Sequence, residues 1–391
     1  MAEPDTPLLT LLRERIANSP LKGEYTLKSG VKGTVPCLTF RDYMEACLYE
    51  PEYGYYRSGP LRVGKDGDFY TSSAVGDVMG EVLARYTLAN ANAARTNGPS
   101  SIVEWGAGTG KLSAATASAG MKLTPAWEKL YSILLIEDHP AHAAAIEQSF
   151  RQGGLDNMPV VMPSSAVWAG KAADWFSKGP SLLIANELLD AFPVHRIARR
   201  GGKLVELGVA ISPSDELVDV EMTLRDGHIE SWLERDGIRL LEGQTTEVCA
   251  DARDWLLRVG GLLISGSQMM LIDYGHEAEE YAANHRMNGT LMAYWNHRAG
   301  DEPLLFPGQR DITAHVSFTF IRASAEEAGF RVVYFNTQKQ FLADFGAFEL
   351  LQNHDGQDPF SAAAKRNRAV RQLLLSDGMS ESFKVMILEK D

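Results

Sequence analysis

The stretch that decides the fold reads VEWGAGTG and occupies Val103–Gly110. The apolar run Ile102–Glu104, which leads into the glycines, predicts a strand, and the residues Lys111–Ala119 after them predict a helix. Glycine adopts positive φ at little steric cost and lets the backbone come close to a ligand. A strand, a glycine-rich turn and a helix in this order predict a cofactor-binding turn in an α/β protein.

Short apolar runs alternate with helical segments along the rest of the chain. The predicted strands are Ile133–Ile136, Val160–Met162, Leu182–Ala185, Met270–Asp273, Arg331–Phe335 and Phe383–Leu388. Such alternation favours a doubly wound, Rossmann-like parallel sheet with helices on both faces. We expect the last two strands to form an antiparallel pair that completes a seven-stranded sheet.

Two regions depart from this alternation. Residues 1–99 predict an N-terminal region of helices and loops, with one helix over Val75–Ala94. We assign residues 100–391 to the main α/β domain. Within it, about residues 196–246 alternate between apolar and polar positions and predict a β-rich insertion. The helix predicted over Glu247–Val259 resumes the α/β pattern.

Composition and charge restrict the class of protein. Among the 391 residues, 45% are hydrophobic and 23% are charged, values that are usual for a folded globular protein and unusual for a disordered one. The net charge of −13 repels nucleic-acid phosphates, so we expect no nucleic-acid partner. Cys37, Cys47 and Cys249 show no paired spacing, so we expect neither a metal site nor a disulfide framework.

The sequence carries no recognisable targeting signal. The first residues, MAEPD, are neither a basic segment before an apolar core nor an Arg-rich presequence. The most apolar stretch, Gly261–Tyr274, is too short to span a bilayer. We therefore expect a cytoplasmic protein without membrane insertion.

The spacing of the glycines indicates which cofactor the turn binds. In a dinucleotide-binding fingerprint the third glycine follows the second by three residues, and here that position holds Lys111. The observed pattern is Gly106, Gly108 and Gly110, preceded by the acidic Glu104. S-adenosyl-L-methionine fits this pattern because it has no pyrophosphate and carries cationic sulfonium and ammonium groups. The turn therefore predicts a doubly wound α/β methyltransferase that uses this cofactor.

A second acidic residue supports the same cofactor. Glu137 follows the strand predicted over Ile133–Ile136, where a carboxylate can accept hydrogen bonds from both ribose hydroxyls. The alternative is a solvated charge at a strand end. Because the glycine turn lies just upstream, we interpret Glu137 as the ribose-binding residue.

Carboxylates follow the strand Leu182–Ala185. In an open parallel sheet, ligands lie beyond the carboxyl ends of the strands, so Asn186 and Glu187 are predicted to face the methyl donor. Carboxylates can hold a guanidinium acceptor through paired N–H bonds and take its proton. We therefore interpret Glu187 and Asp190 as acceptor-handling residues. The alternative for Asp190 is a cap on a following helix.

A polar, glycine-containing segment precedes DITAHV at residues 311–316 and predicts a long functional loop after the fifth strand. Asp311 or Thr313 could cap a helix that runs towards Glu327. His315, near the first turn of that helix, is a candidate general base. The alternative for this histidine is a structural role.

These motifs resemble the MidA-like family, which includes a mitochondrial complex I assembly methyltransferase. The matching segments are Gly67–Ser72, Glu104–Gly110, Asn186–Val194, Asp273–Gly275 and Asp311–Val316. The resemblance implies a class I fold and symmetric dimethylation of an arginine in a protein substrate, with a respiratory complex I subunit as a candidate. It also implies that the N-terminal region closes the donor site through Gly67, Asp68, Phe69, Thr71 and Ser72.

Two other functions remain compatible with the sequence. One is an O- or carboxyl-methyltransferase for small molecules, and the other is a non-catalytic assembly factor that retains the fold. The intact glycine turn counts against the second. A homodimer is compatible with all three functions.

Overall fold

The computed structural model describes residues 6–26, 32–57, 59, 73–91, 100–295, 298–354, 358–375 and 382–391. The helices in these ranges are α1 (Pro7–Ala17), α2 (Phe40–Tyr49), α3 (Ser73–Ala91), α4 (Lys111–Leu123), α5 (Trp127–Leu130), α6 (Pro140–Gln152), α7 (Ser164–Trp168), α8 (Ala173–Ser177), α9 (His228–Arg235), α10 (Ala250–Gly260), α11 (Ala278–Tyr281), α12 (Phe318–Glu327), α13 (Gln338–Asp344) and α14 (Ala362–Leu375), with a 3-10 helix at Ala347–Leu350. The strands are β1 (Lys22–Thr26), β2 (Lys32–Thr39), β3 (Ser100–Trp105), β4 (Tyr131–Ile136), β5 (Val160–Met162), β6 (Ser181–Asn186), β7 (His195–Arg200), β8 (Lys203–Ile211), β9 (Leu217–Met222), β10 (Thr245–Val248), β11 (Gln268–His276), β12 (Met292–Trp295), β13 (Arg298–Gly300), β14 (Asp311–Thr313), β15 (Val316–Ser317), β16 (Phe330–Thr337) and β17 (Phe383–Lys390).

The chain forms two compact units, each assembled from three chain segments. The first unit comprises Met1–Gly59, Leu189–Trp255 and Gly275–Ser324, and the second comprises Pro60–Leu188, Leu256–Tyr274 and Ala325–Asp391. The sequence-based boundary at residue 99 divides the chain differently. The two divisions differ because β2 pairs with β8, which joins residues on both sides of that boundary into one unit.

The second unit is built on a doubly wound sheet with the strand order β16-β17-β11-β6-β3-β4-β5. Neighbouring strands from β11 to β5 are parallel, whereas β17 lies antiparallel between β11 and β16. This path of seven strands confirms the predicted doubly wound fold and its final antiparallel pair. The short β15, which was not predicted, pairs in parallel with the end of β11 as an eighth strand. The winding direction reverses between β3 and β6, and the carboxyl ends of strands beside such a reversal form the ligand-binding edge of these sheets.

Burial explains why these strands were recognisable. Val103, Leu134, Leu183 and Leu271 in the central strands are completely buried. Strands covered by helices on both faces read as continuous apolar runs. Full burial of one such side chain contributes about 1.5–3 kcal/mol to the stability of the fold. The apolar composition of these strands therefore favours their position in the centre of the sheet.

The first unit contains a six-stranded antiparallel sheet in the order β10-β7-β8-β2-β1-β9, with an additional pairing between β8 and β9. Strands β7 to β10 confirm the predicted β-rich insertion. The prediction of only helices and loops near the N-terminus is wrong, because β1 and β2 are strands. These segments form strands because β1 pairs with β9 and β2 pairs with β8. Both partners are distant in sequence, so local propensity does not reveal the strands.

The segment around residue 311 also differs from the prediction. Asp311 and Thr313 lie in β14, which pairs with β12 in a three-stranded sheet, so neither residue caps a helix. Helix α12 begins at Phe318. Glu247 lies in β10, and the following helix α10 begins at Ala250.

Within the part of the chain that the structure describes, no helix combines the length and apolar character needed to cross a membrane.

Candidate active site

The glycine turn after β3 adopts the conformation that its sequence predicts. Gly106, Gly108 and Gly110 have φ values of 73°, 54° and 71°, in the left-handed region that other residues adopt only with strain. The backbone N–H groups of Gly106 and Ala107 both donate to the carbonyl of Ile136, at 2.9 and 3.1 Å. These two bonds tie the turn to the end of β4.

The three glycines serve different purposes. A Cβ on Gly106 would lie 2.9 Å from Leu188 Cδ1, and one on Gly110 would lie 3.2 Å from atoms of Ile146 and Leu135. Among the residues that the structure describes, none would lie within 4 Å of a Cβ on Gly108. Gly106 and Gly110 therefore permit close internal packing, whereas no described residue packs against the same side of Gly108.

Glu137 holds this part of the turn. Its Oε2 accepts a 2.7 Å bond from the N–H of Gly108, and its Oε1 accepts a 2.7 Å bond from the N–H of His139. The side chain is largely buried, with His142 Nδ1 3.7 Å from Oε1. A carboxylate has about four acceptor positions, so these bonds leave capacity for hydroxyl donors. The geometry is compatible with ribose binding, which stays a prediction.

Glu104 is buried beneath the turn. Its Oε2 accepts a 2.5 Å hydrogen bond from Ser113 Oγ in α4. Burial raises the pKa of Glu104 to about 7, although the bond from Ser113 opposes this shift. The carboxyl group is therefore anchored to α4, and its predicted attraction for a cationic donor stays a prediction.

Asn186 and Glu187 lie at the carboxyl end of β6. In the β3–β6 pairing Trp105 stands opposite Ala185, so the two residues follow directly beside the start of the glycine turn. Glu187 has φ 50°, and its N–H donates to the carbonyl of Ile272 at 2.8 Å. Positive φ at a residue other than glycine costs about 1–3 kcal/mol and is concentrated at functional sites.

The carboxyl group of Glu187 is solvent-accessible yet influenced by the protein around it. Its Oε1 accepts a 3.2 Å bond from the Asn186 amide. The side chain is exposed, but the surrounding protein atoms desolvate the carboxyl and raise its pKa, against the opposing effect of the Asn186 bond. A carboxylate with a raised pKa accepts a proton more readily, which is what the acceptor-handling prediction requires.

Asp190 and His315 lie in the first unit, whereas Glu187 lies in the second. Asp190 is buried in a turn that leads into β7, and its carbonyl accepts a 2.9 Å bond from the N–H of Ala314. The helix-cap alternative for Asp190 is wrong, because residues 191–194 form no helix and a strand begins at His195.

His315 lies between β14 and β15, so its predicted place in the first turn of a helix is wrong. Its N–H donates to Thr290 Oγ1 at 3.0 Å, and its carbonyl accepts a 3.0 Å bond from the Tyr281 hydroxyl. Burial lowers the pKa of His315 to about 4, with a further contribution from His276. The ring is therefore neutral at pH 7 and only a weak base, and the general-base role stays a prediction.

With this geometry established, comparison with known proteins identifies the family. The family of S-adenosyl-L-methionine-dependent methyltransferases that corresponds to the MidA-like proteins matches residues 82–336. The chain belongs to this family. The match includes the glycine turn, Glu137 and the strand end at Glu187, so the methyltransferase uses S-adenosyl-L-methionine.

Individual relatives extend the match to most of the chain. The mitochondrial protein arginine methyltransferase NDUFAF7 of Danio rerio is 26% identical over 376 residues, covering 91% of this chain and 84% of the relative. The human NDUFAF7 is 26% identical over 317 residues, covering 76% and 67%. The structure of a COG1565 superfamily member from Burkholderia thailandensis bound to S-adenosyl-homocysteine is 27% identical, with a TM-score of 0.81, and the match covers 98% of this chain and 92% of that one.

No described residue packs against Gly108, which fits the donor that the family uses. The backbone can approach the donor there, and Glu137 lies within hydrogen-bonding distance of the same glycine. S-adenosyl-L-methionine supplies an activated methyl group when it is bound. The methyltransferase itself contributes a turn whose shape is already fixed by the bonds to Ile136, so little ordering is needed on binding.

Several predicted residues lie outside the described residues. These are Gly67, Asp68, Phe69, Thr71 and Ser72, which the resemblance assigned to closure of the donor site. Across the ranges that the structure does describe, no group of three or more His, Cys, Asp or Glu side chains could hold a metal ion.

Sequence reasoning did not identify a group of tyrosines beside Asp311. The Tyr56 hydroxyl donates to Asp311 Oδ2 at 2.7 Å, and the Tyr49 hydroxyl donates to the carbonyl of Ala191 at 2.9 Å. The rings of Tyr49 and Tyr56 stack with centroids 5.8 Å apart. The tyrosine-rich run at residues 49–56 was the available signal, but nothing in the sequence shows that it meets residue 311.

The raised pKa of Glu104 leads to a prediction about stability. The folded state keeps the proton up to about pH 7, whereas an unfolded glutamate loses it near its ordinary value of 4.5. The free energy of unfolding of the methyltransferase should therefore fall as the pH rises from about 4.5 to 7. Glu104→Gln removes this titration. The free energy of unfolding of Glu104→Gln minus that of the wild type should therefore increase by about 3 kcal/mol between pH 4.5 and 8.

Urea unfolding at both pH values measures this difference. Glu147→Gln serves as a control, because it is the same substitution at an exposed position on α6. A constant difference between wild type and Glu104→Gln across this range would show that Glu104 titrates normally in the folded state.

Proposed function

We propose that this methyltransferase transfers the methyl group of S-adenosyl-L-methionine to a guanidinium nitrogen of an arginine side chain in a protein. The observation that carries the proposal is the carboxylate of Glu187, held at positive φ at the end of the strand next to the donor turn. The protein arginine methyltransferases named above, at 26% identity, support the same acceptor class.

The chemistry explains why a carboxylate is needed. The guanidinium pKa is about 13.8, so a neutral nitrogen nucleophile is scarce at neutral pH. As the guanidinium nitrogen forms a bond to the methyl carbon, the carbon–sulfur bond breaks and its electron pair stays on sulfur, which yields S-adenosyl-homocysteine. The methylated guanidinium nitrogen gives up one proton. Glu187 is positioned to hold the guanidinium N–H groups and to receive this proton.

Charge supports a protein acceptor with basic character. The net charge of −13 attracts a cationic segment around the target arginine. In line with the mitochondrial relatives, we include a respiratory complex I subunit as a candidate substrate and symmetric dimethylation as the expected product. We place the reaction in the cytoplasm, as the sequence predicts for this chain.

The product identifies the acceptor. We expect the purified methyltransferase, incubated with S-adenosyl-L-methionine labelled in the methyl group and with a proteome from cells that lack it, to produce labelled methylarginine. Mass spectrometry of the digested proteins detects and locates the label, and heat-denatured enzyme is the control.

The competing functions give different results in the same experiment. Label in base-labile methyl esters or in the small-molecule fraction, without methylarginine, would favour the O- or carboxyl-methyltransferase. Donor binding without any transferred label would favour an assembly factor. Either outcome would contradict the proposed function.

A further inference from the structure

Two buried histidines at the start of α6 lie beside the carboxylate of Glu137. His139 is 2% exposed and His142 is 3% exposed. Burial deprives ring nitrogens of hydrogen bonds to water, so a buried imidazole needs partners in the protein. All three residues belong to the second unit, which also contains the glycine turn. The contacts of these histidines therefore bear on the binding of the methyl donor.

The orientation of His139 is fixed by its position directly before α6. Its Nδ1 accepts a 3.1 Å bond from the N–H of Ala141, so the ring is neutral and carries its proton on Nε2. Its backbone N–H donates to Glu137 Oε1 at 2.7 Å. The ring of His139 stacks on that of His142, with centroids 4.3 Å apart and planes inclined by 18°. His139 therefore supports the ring of His142 as well as the carboxylate.

The stacked ring of His142 lies next to the same carboxylate oxygen. Its Nδ1 is 3.7 Å from Glu137 Oε1, and the side chains of His142 and Glu137 are 4% and 8% exposed. This separation is longer than a direct hydrogen bond, but hydrogen bonds at binding sites are often long before the ligand binds and shorten in the complex. An N–H on Nδ1 would stabilise the buried carboxylate, because electrostatic interactions are strong where water is excluded.

The two oxygens of Glu137 have different surroundings. Oε1 lies against α6, where it accepts the bond from His139 and faces His142. Oε2 accepts the bond from the N–H of Gly108, and within the described residues no other hydrogen-bond donor contacts Oε2. A carboxylate oxygen has two acceptor positions, so Oε2 keeps one of them beside the glycine turn. That position is available for a hydroxyl of the ligand.

We propose that His142 is a positioning residue of the donor site. Its Nδ1 N–H holds Oε1 of Glu137, and the carboxylate is thereby oriented so that it accepts hydrogen bonds from the ribose hydroxyls of S-adenosyl-L-methionine. The inference depends on the ribose-binding role of Glu137 and goes beyond the proposed function. Its tests use no methyl acceptor, so its failure and the failure of the arginine proposal are distinguishable.

The ribose hydroxyls of the ligand provide a specific test. Calorimetric titrations of the full chain compare S-adenosyl-homocysteine with its dideoxy analogue, which lacks both ribose hydroxyls. For the wild type we expect the dideoxy analogue to bind at least about 30-fold more weakly, because hydrogen bonds from the hydroxyls to a carboxylate are charge-assisted. Equal affinity of the wild type for the two ligands would overturn the inference.

Variants of His142 then separate positioning from a structural role. His142→Phe keeps a ring that can stack on His139 but lacks Nδ1. It should bind S-adenosyl-homocysteine about fivefold more weakly or worse and bind the dideoxy analogue within about twofold of the wild type. His142→Asn should restore most of the lost affinity, because the asparagine amide nitrogen can occupy the position of Nδ1.

The control is His354→Phe, the same substitution at an exposed position of the same unit. It should bind both ligands as the wild type does. An equal loss of affinity for both ligands in folded His142→Phe, or no loss for either, would show that His142 is merely structural.

A measurement on the wild type keeps the inference testable if His142→Phe does not fold. In long-range proton–nitrogen correlation spectra of the complex with S-adenosyl-homocysteine, His142 should carry a proton on Nδ1, whereas His139 should carry one only on Nε2. Assignment through the backbone resonances identifies the two rings. A His142 ring that is protonated only on Nε2 would overturn the inference.

Discussion

Gly108→Val is expected to lower the affinity of the methyltransferase for S-adenosyl-homocysteine by at least about 100-fold. Gly108 has φ 54°, a conformation that a β-branched residue adopts only with strain, and its N–H is held by Glu137. The valine side chain would also project from the turn on the side of Gly108 where no described residue packs. Isothermal titration calorimetry with S-adenosyl-homocysteine measures the change.

Gly154→Val separates the loss of ligand space from the loss of glycine geometry. Gly154 also has positive φ, 73°, and a Cβ there would meet no atom of the described residues within 4 Å. It lies in the connection between α6 and β5, which enters the sheet at the amino end of a strand and away from the ligand-binding edge. Gly154→Val should cost about 1–2 kcal/mol of stability and leave the donor affinity unchanged. Unchanged affinity in Gly108→Val as well would refute the assignment of the turn.

Glu187→Gln is expected to lower kcat for arginine methylation by about 100-fold to 10,000-fold, the usual contribution of a positioned base. Glutamine keeps the shape of the side chain and the positive φ of the backbone, but it cannot receive the guanidinium proton. The affinity for S-adenosyl-homocysteine should stay within about threefold. Rates with a methylated substrate from the proteome experiment, together with calorimetry, measure both quantities.

The pH dependence of the wild type provides a further check on the same residue. Because protein atoms raise the pKa of Glu187, kcat should fall as the pH drops below this raised pKa and level off above it. Glu147→Gln, an identical substitution on the exposed face of α6, should retain wild-type kcat. Full activity of Glu187→Gln would remove this residue from the mechanism.

The sequence predicted best those parts that depend on local composition. The central strands were recognisable because residues such as Leu134 and Leu183 are buried on a sheet covered on both faces. The glycine turn was recognisable because Gly106, Gly108 and Gly110 all require positive φ. Each of these signals is contained within a few neighbouring residues.

The features that sequence reasoning missed depend on distant residues. Strand β1 pairs with β9 through Glu24 and Glu221, and no local sequence pattern predicts this pairing. The bond between Tyr56 and Asp311 joins residues 255 positions apart. The positive φ of Glu187 could not be predicted from the sequence, because glutamate rarely adopts this conformation. Asp190 suggested a helix cap by residue type alone, whereas residues 191–194 form a turn that leads directly into β7.

The way the first unit is assembled has a consequence for synthesis of the chain. Strand β2 ends at Thr39, and its neighbour β8 begins only at Lys203. At about 5–20 residues per second, a ribosome takes roughly 8–30 s to make the intervening chain. During that interval the nascent β1–β2 hairpin has an open edge without its native neighbours, which is a known hazard for aggregation. The first unit therefore completes its sheet late in translation, after several strands of the second unit have emerged.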